Sequence, residues 1–291
     1  MAGRLENKVA VITGAGTGIG EAIAHKFAYE GAKVVVVGLS SDPVQDVAAA
    51  IQKDGGEAVF VSGDVSEESH AQAAVQAAID KYGRLDILVN NAGVFLDQAE
   101  IEKYPIEDFD KTVKNNLRSA FLMTKFAIPH LQKTRGNVVS AGSEAGFNGQ
   151  PDNAPYGGSK AFLHSFMMGV AVEQAKHGVR ANCVCPGAID TALTRKETGP
   201  LDKKHEQNTV NAEAVGRRGT PEEIANVYAF IASDEASYVT GALWLADGGV
   251  TPAKGAVGAD VPWLLKREPK GDLDLEHSHD GEKNKQVHVV K

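Results

Sequence analysis

Cysteine is nearly absent from this 291-residue chain: there are two, Cys183 and Cys185, one residue apart in A-N-C-V-C-P-G. Their number and placement suit reduced core thiols and argue against a disulfide framework or a zinc site. Long apolar runs are also missing. No stretch approaches the roughly 20 residues that a bilayer span needs, so no membrane partner is expected. Lys and Arg never gather into a run, and 30 basic against 38 acidic residues give a net charge of −8. That balance excludes a partner held through a phosphate backbone, so no nucleic acid is expected. The opening M-A-G-R-L-E-N passes into K-V-A-V-I-T without a secretory apolar region, which leads to the expectation of a cytoplasmic protein. Internal repeats are lacking, and no linker interrupts the chain before Gly249.

What is present is an alternation. Short β-branched runs at 8–13, 33–37, 58–62, 86–90, 137–140, 179–184 and 242–246 read as strands. They are almost continuously apolar, as strands covered on both faces must be. Ala-rich helical stretches such as 70–82 lie between them. Alternation of this kind predicts α/β architecture: a single doubly wound domain over 1–249 with a parallel sheet of about seven strands. After Gly249 the composition changes. In the extension 250–291, A-D-V-P-W-L-L-K is expected to dock through Trp263 and Leu264. The charged remainder from Lys266 is expected to be disordered, because it cannot bury enough surface to offset its ordering entropy. His277 and His279 form an H-x-H pair there, but in so polar a tail they read as solvated, and no metal site is expected.

The first strand runs straight into T-G-A-G-T-G-I-G (13–20) and then into a helical pattern. Glycines at a strand-to-helix turn let backbone N–H groups approach a pyrophosphate, which the helix N-terminus stabilises. A glycine string alone is weak evidence; its place after the first strand of an α/β chain is stronger. A second device is Y-G-G-S-K (156–160). Residues four apart share a helix face, so a phenol and an ammonium are held together there.

These motifs resemble those of the short-chain dehydrogenase/reductase family, a Rossmann-type fold, and the resemblance runs from about Lys8 to Gly249. The glycine turn has the family's Gly14-x-x-x-Gly18-x-Gly20 spacing, which implies that Gly14, Thr17, Gly18, Ile19 and Gly20 hold the cofactor phosphates. Asp64-Val65 stands where the family holds adenine. N-N-A-G (90–93) implies that Asn90 lines the cofactor cleft and stabilises the sheet. P-G-A-I-D-T (186–191), with Ile189 and Thr191, resembles the stretch over the nicotinamide. R-R-G-T-P-E-E-I-A and Y-V-T-G-A-L-W-L-A-D-G-G match the family's later signatures. Where the family usually has Gly, Ser119 and Ala120 stand.

The resemblance implies four catalytic residues: Asn116, Ser143, Tyr156 and Lys160. Carbonyl reduction places negative charge on oxygen as hydride reaches carbon, so the site needs a proton donor and a second hydrogen bond. Tyr156 would donate the proton and Ser143 would hold the oxygen. Lys160 would stabilise the phenolate and bind the nicotinamide ribose, and Asn116 would anchor a water on the proton path. The implied activity is an NAD(P)-dependent oxidoreductase interconverting a secondary alcohol and a ketone. An enoyl reductase on the same fold is disfavoured, because that subgroup spaces Tyr and Lys farther apart. A non-catalytic NAD(H)-binding regulator could drop one of the four residues, and a structural assembly protein would not need the glycine turn.

NAD is the expected cofactor, with NADP remaining open. The stretch Gly38–Pro43 offers a 2′-phosphate no basic residue, and neither does Thr17. Asp42 stands slightly later than the acidic residue that would select NAD. The segment 191–210 is expected to cover a small-molecule substrate. Glu144, Asn148 and Gln150 hint at a hydroxylated one. Apolar residues on more than one face of the helices 107–134 and 155–177, among them Phe121, Phe126, Phe162, Phe166 and Met167, predict a homotetramer.

Overall fold

The computed structural model describes residues 3–191, 203–267, 271–273 and 275. Residues 192–202 of the expected substrate cover, and His277 and His279, lie outside the described residues.

Seven parallel strands form one sheet: β1 (Val9–Thr13), β2 (Lys33–Gly38), β3 (Glu57–Ser62), β4 (Ile87–Asn90), β5 (Asn137–Ala141), β6 (Arg180–Pro186) and β7 (Leu243–Ala246). Their spatial order is β3-β2-β1-β4-β5-β6-β7. β1 is therefore an interior strand, pairing with β2 through Val9↔Lys33 and with β4 through Ala10↔Ile87. All five β1 residues are buried, and they divide by alternation. Ala10 and Ile12 face a core built with α1 (Gly18–Tyr29), α2 (Val44–Lys53) and a late helix. Val9 and Val11 face the opposite core, built with α3 (Glu68–Tyr82) and two long helices. Burial on both faces is why these strands read as unbroken apolar runs.

The helical pattern expected at 107–134 is α4 (Ile106–Thr112), a π turn over Val113–Arg118, and α5 (Ser119–Thr134) in continuous succession. Ser119 and Ala120 are both buried there, and the Ser119 hydroxyl donates to the Asn115 carbonyl. α6 (Ala154–Gln174) follows β5. α7 (Lys203–Ala212) and α8 (Pro221–Ala232) precede β7. α8 opens with a capping box: Thr220 Oγ1 accepts from the Glu223 amide, and the Glu223 carboxylate accepts from the Thr220 amide.

Beyond β7, the extension packs in an unexpected way. Gly258 lies so close to α7 that a Cβ would sit 2.1 Å from the Glu213 carbonyl oxygen. The Asp272 amide donates to Glu222, and Leu275 packs against the core. Trp263 and Leu264, the expected anchors, remain 52% and 61% exposed, with the Arg267 guanidinium over the Trp263 ring. Small and aliphatic neighbours fit the surface here, and the large side chains face outward.

Candidate active site

The strand order reverses between β1 and β4, and a cleft opens at the carboxyl ends of these strands, where such sheets bind ligands. Its floor is the glycine turn. Gly14 and Gly18 adopt φ of 60° and 58°, conformations that L side chains rarely take. Gly20 faces Gly14 so closely that a Cβ would sit 2.0 Å from the Gly14 carbonyl oxygen. Thr17 is the extended N-cap residue of α1, and its hydroxyl does not cap the helix.

Thr13 stitches the turn to β4: its hydroxyl accepts from the Asn91 and Ala92 amides, each at 3.0 Å. The Asn91 side chain donates to the Thr13 and Gly14 carbonyls at 3.1 Å and lines the cleft. Asn90 does not line it. Its buried amide donates to Thr124 and Ser140, tying β4 to α5 and β5. Asn90 is the last residue of β4 and turns its side chain into the sheet's packing, so the cleft position falls to Asn91, just beyond the strand.

The cleft has two recesses that share Gly93 and Val94. The first is walled by Gly14, Gly38, Leu39, Asp42, Asp64 and Val65. Burial alone would raise the Asp64 carboxyl, but hydrogen bonds from Ser66 and the charge of Lys114 hold it below the ordinary carboxylate range. Asp42 reaches this wall because the loop after β2 doubles back. Its Oδ2 accepts from the Leu39 amide at 2.8 Å. It also crowds Gly38, whose Cβ would lie 2.9 Å from that oxygen.

The second recess is lined by Ile19, Ser143, Tyr156, Lys160, Ile189 and Thr191. Thr191 is buried and packs against Gly18, whose Cβ would lie 3.3 Å from its Cγ2. Tyr156 and Lys160 share one face of α6, with the ammonium 5.5 Å from the phenol ring centroid. The edge of Phe95 meets that ring at 4.7 Å. Lys160 is buried and donates to the Ala141 carbonyl at 2.9 Å. Burial pushes its ammonium down to about 8. Ser143, at the end of β5, accepts from the Ala145 amide at 3.2 Å.

Asn116, in the π turn, joins the recesses. Its Oδ1 accepts from the Val94 amide at 2.7 Å, and its Nδ2 donates to the Val94 carbonyl at 2.9 Å and to Ser159 at 3.0 Å. A residue that the sequence did not single out is Glu213, just after α7. It is buried, and burial raises its carboxyl to about 7. It accepts from the Ala188 amide at 3.2 Å, which fixes the segment carrying Ile189. Nothing in its spacing betrayed it.

A two-ended cleft floored by a glycine turn, with a phenol, an ammonium and a hydroxyl at one end, defines a dinucleotide-dependent redox protein. The glycine cradle, where a Cβ would collide with backbone, fits a pyrophosphate. The model of a family described as enoyl-(acyl carrier protein) reductase matches residues 14–251. The chain is 37% identical to meso-2,3-butanediol dehydrogenase of Serratia marcescens, covering 87% of this chain and 98% of that protein. It is also 37% identical to 3-oxoacyl-(acyl-carrier-protein) reductase of Thermotoga maritima, covering 85% and 99%. The crystal structure of 3-ketoacyl-(acyl-carrier-protein) reductase from Brucella melitensis complexed with NADH superposes with a TM-score of 0.76 at 34% identity, covering 85% of this chain and 99% of that one. The chain belongs to the short-chain dehydrogenase/reductase family and is an NAD(P)-dependent oxidoreductase.

Proposed function

We propose that this protein interconverts a small secondary alcohol and its ketone, with NAD preferred over NADP. The observation that carries this reading is the single recess lined by Ser143, Tyr156 and Lys160 together with Ile189 and Thr191. Bound across the cleft, the nicotinamide would supply or accept the hydride. In reduction the Tyr156 phenol gives its proton to the carbonyl oxygen, and Ser143 donates a hydrogen bond to that oxygen as its charge develops. The Lys160 ammonium stabilises the phenolate left behind and would hydrogen-bond the ribose hydroxyls of the bound cofactor. Asn116 fixes Val94 at the junction of the recesses and supports the proton path. Asp64 and Val65, which line the first recess, would hold the adenine.

Asp42 supports the NAD preference more directly than its place in the sequence suggests. Its carboxylate stands in the first recess, where a 2′-phosphate would meet it without a basic partner on that loop. The hydroxylated-substrate reading loses support. Gln150 donates to both Glu144 oxygens at 2.9 and 3.0 Å and accepts from Asn153 at 2.7 Å, so the polar floor is engaged with itself. The described residues contain no helix long and apolar enough to cross a membrane.

The test is turnover of a panel of small ketones and an enoyl thioester with NADH and NADPH, with Tyr156→Phe as control. Ketone reduction is expected, with kcat/KM at least about tenfold higher for NADH, or about 1.4 kcal/mol. Tyr156→Phe should bind cofactor yet lose more than nine-tenths of kcat. Reduction of the enoyl thioester alone would overturn the ketone reading. Retention of more than about a tenth of kcat by Tyr156→Phe would remove Tyr156 as the acid.

A further inference from the structure

α6 carries a third polar residue on the face that presents Tyr156 and Lys160. His164 lies four residues beyond Lys160, is 4% exposed and lines neither recess. The loop that bears Ser143 is wrapped around its ring. A Cβ on Gly142 would lie 2.7 Å from His164 Nε2, and one on Gly146 would lie 2.5 Å from Cε1. The Phe147 ring packs on the imidazole with centroids 4.5 Å apart. Two glycines and an aromatic thus shape residues 142–147 to this side chain.

The polar contacts fix the ring's protonation. The Ser143 amide donates to Nε2 at 3.4 Å, and the Cys185 Sγ lies 3.3 Å from the same nitrogen. An amide N–H can only donate, so Nε2 carries the lone pair and the ring is the neutral Nδ1–H tautomer. The Cys185 thiol, raised to about 12 by burial, keeps its proton beside this nitrogen.

We propose that His164 is a positioning residue for the reaction: as a neutral acceptor it holds the Ser143 backbone where the Ser143 hydroxyl meets the substrate oxygen. The inference rests on the reading of Ser143 given above. Protonation would place an N–H against the Ser143 amide and release the loop. Burial and the Lys160 charge on α6 oppose this, while the buried Cys183 and Cys185 thiols of β6 are neutral and Glu144 of the loop is engaged with Gln150. Burial and Lys160 together hold His164 below its ordinary 6.5.

The experiment compares His164→Leu, which removes the acceptor, with His164→Gln, whose side-chain oxygen reaches the Nε2 position without titrating. Ketone reduction is measured, because Tyr156 must be protonated in that direction and does not itself limit rate at acid pH. His164→Leu is expected to lower kcat about tenfold or more while cofactor Kd stays within twofold. His164→Gln should keep kcat within about threefold of wild type and lack the fall in rate at acid pH that protonation of His164 gives the wild type. Ser143→Ala and the double variant Ser143→Ala/His164→Leu complete a cycle. If His164 acts through Ser143, the double variant is no slower than Ser143→Ala. Full activity of Ser143→Ala would sink the reading of Ser143 itself. With Ser143→Ala slow, wild-type kcat in His164→Leu, additive losses, or an unchanged acid limb in His164→Gln would each overturn the positioning role. Should His164→Leu not fold, the His164→Gln pH profile still decides.

Discussion

Lys160 shows at a single residue how function competes with stability. In the folded chain its ammonium loses its proton at about 8, because burial disfavours the charge. Unfolded, the group holds its proton to about 10.5. Between these values the unfolded chain binds more protons, so wild-type stability rises with pH across that window. Below pH 8 the folded chain carries the full cost of a buried charge. Lys160→Met removes the titration and leaves the Ala141 carbonyl without its donor. The stability of Lys160→Met relative to wild type should therefore fall by about 2–3 kcal/mol between pH 7 and pH 10. Urea unfolding at the two pH values checks this, and a difference that does not change with pH would mean that Lys160 is not desolvated. Activity should be lost in the variant at both.

At the scale of elements, the glycine turn allows no latitude. A methyl on Gly20 would have to displace the Gly14 carbonyl, which also accepts from Asn91. Gly20→Ala is expected to cost about 1–3 kcal/mol of stability as overpacking and to weaken cofactor binding. Denaturant titration with and without NADH separates the two effects, and a variant equal to wild type in both would show that the turn is slack. All seven strands were legible as apolar runs, because the inner strands are buried on both sheet faces and the edge strands β3 and β7 keep apolar residues even where they are exposed. Many of the recess-lining residues, from Gly14 to Thr191, stand in motifs that the sequence displays in order, but the cleft asparagine is Asn91 and not the expected Asn90. Three features were not legible. The π turn that holds Asn116 adds a residue to a helix without changing its composition. Asp42 reaches the cleft only through the fold-back of its loop onto the Leu39 amide. His164 reads as one more residue in an apolar helix until β5 and β6 bring Ser143 and Cys185 to it. Each depends on a contact between segments far apart, or on a backbone detail that periodicity does not encode.

In the whole molecule, two apolar areas stand apart. Phe121 and Phe162, on α5 and α6, are 47% and 37% exposed, whereas Phe126 and Phe166 are partly covered and Met167 is fully buried. On the far edge of the sheet, Trp244 and Leu245 of β7 are similarly exposed. Pairing of each patch with its copy would build a tetramer with dihedral symmetry, where one patch would stop at a dimer. Light scattering is expected to return about four times the 30.7 kDa of one chain, and Phe162→Asp to return a smaller assembly. A wild-type mass near 30.7 kDa would refute the assembly. The sheet order carries a further consequence, for the chain as it is made. β1 can pair with β2 once residue 38 has emerged, but its other edge waits for β4, whose Ile87 pairs with Ala10. At 5–20 residues per second that wait lasts about 2–10 s. For that interval on the ribosome, V-A-V-I-T presents an unpaired apolar edge of the kind a chaperone would shelter.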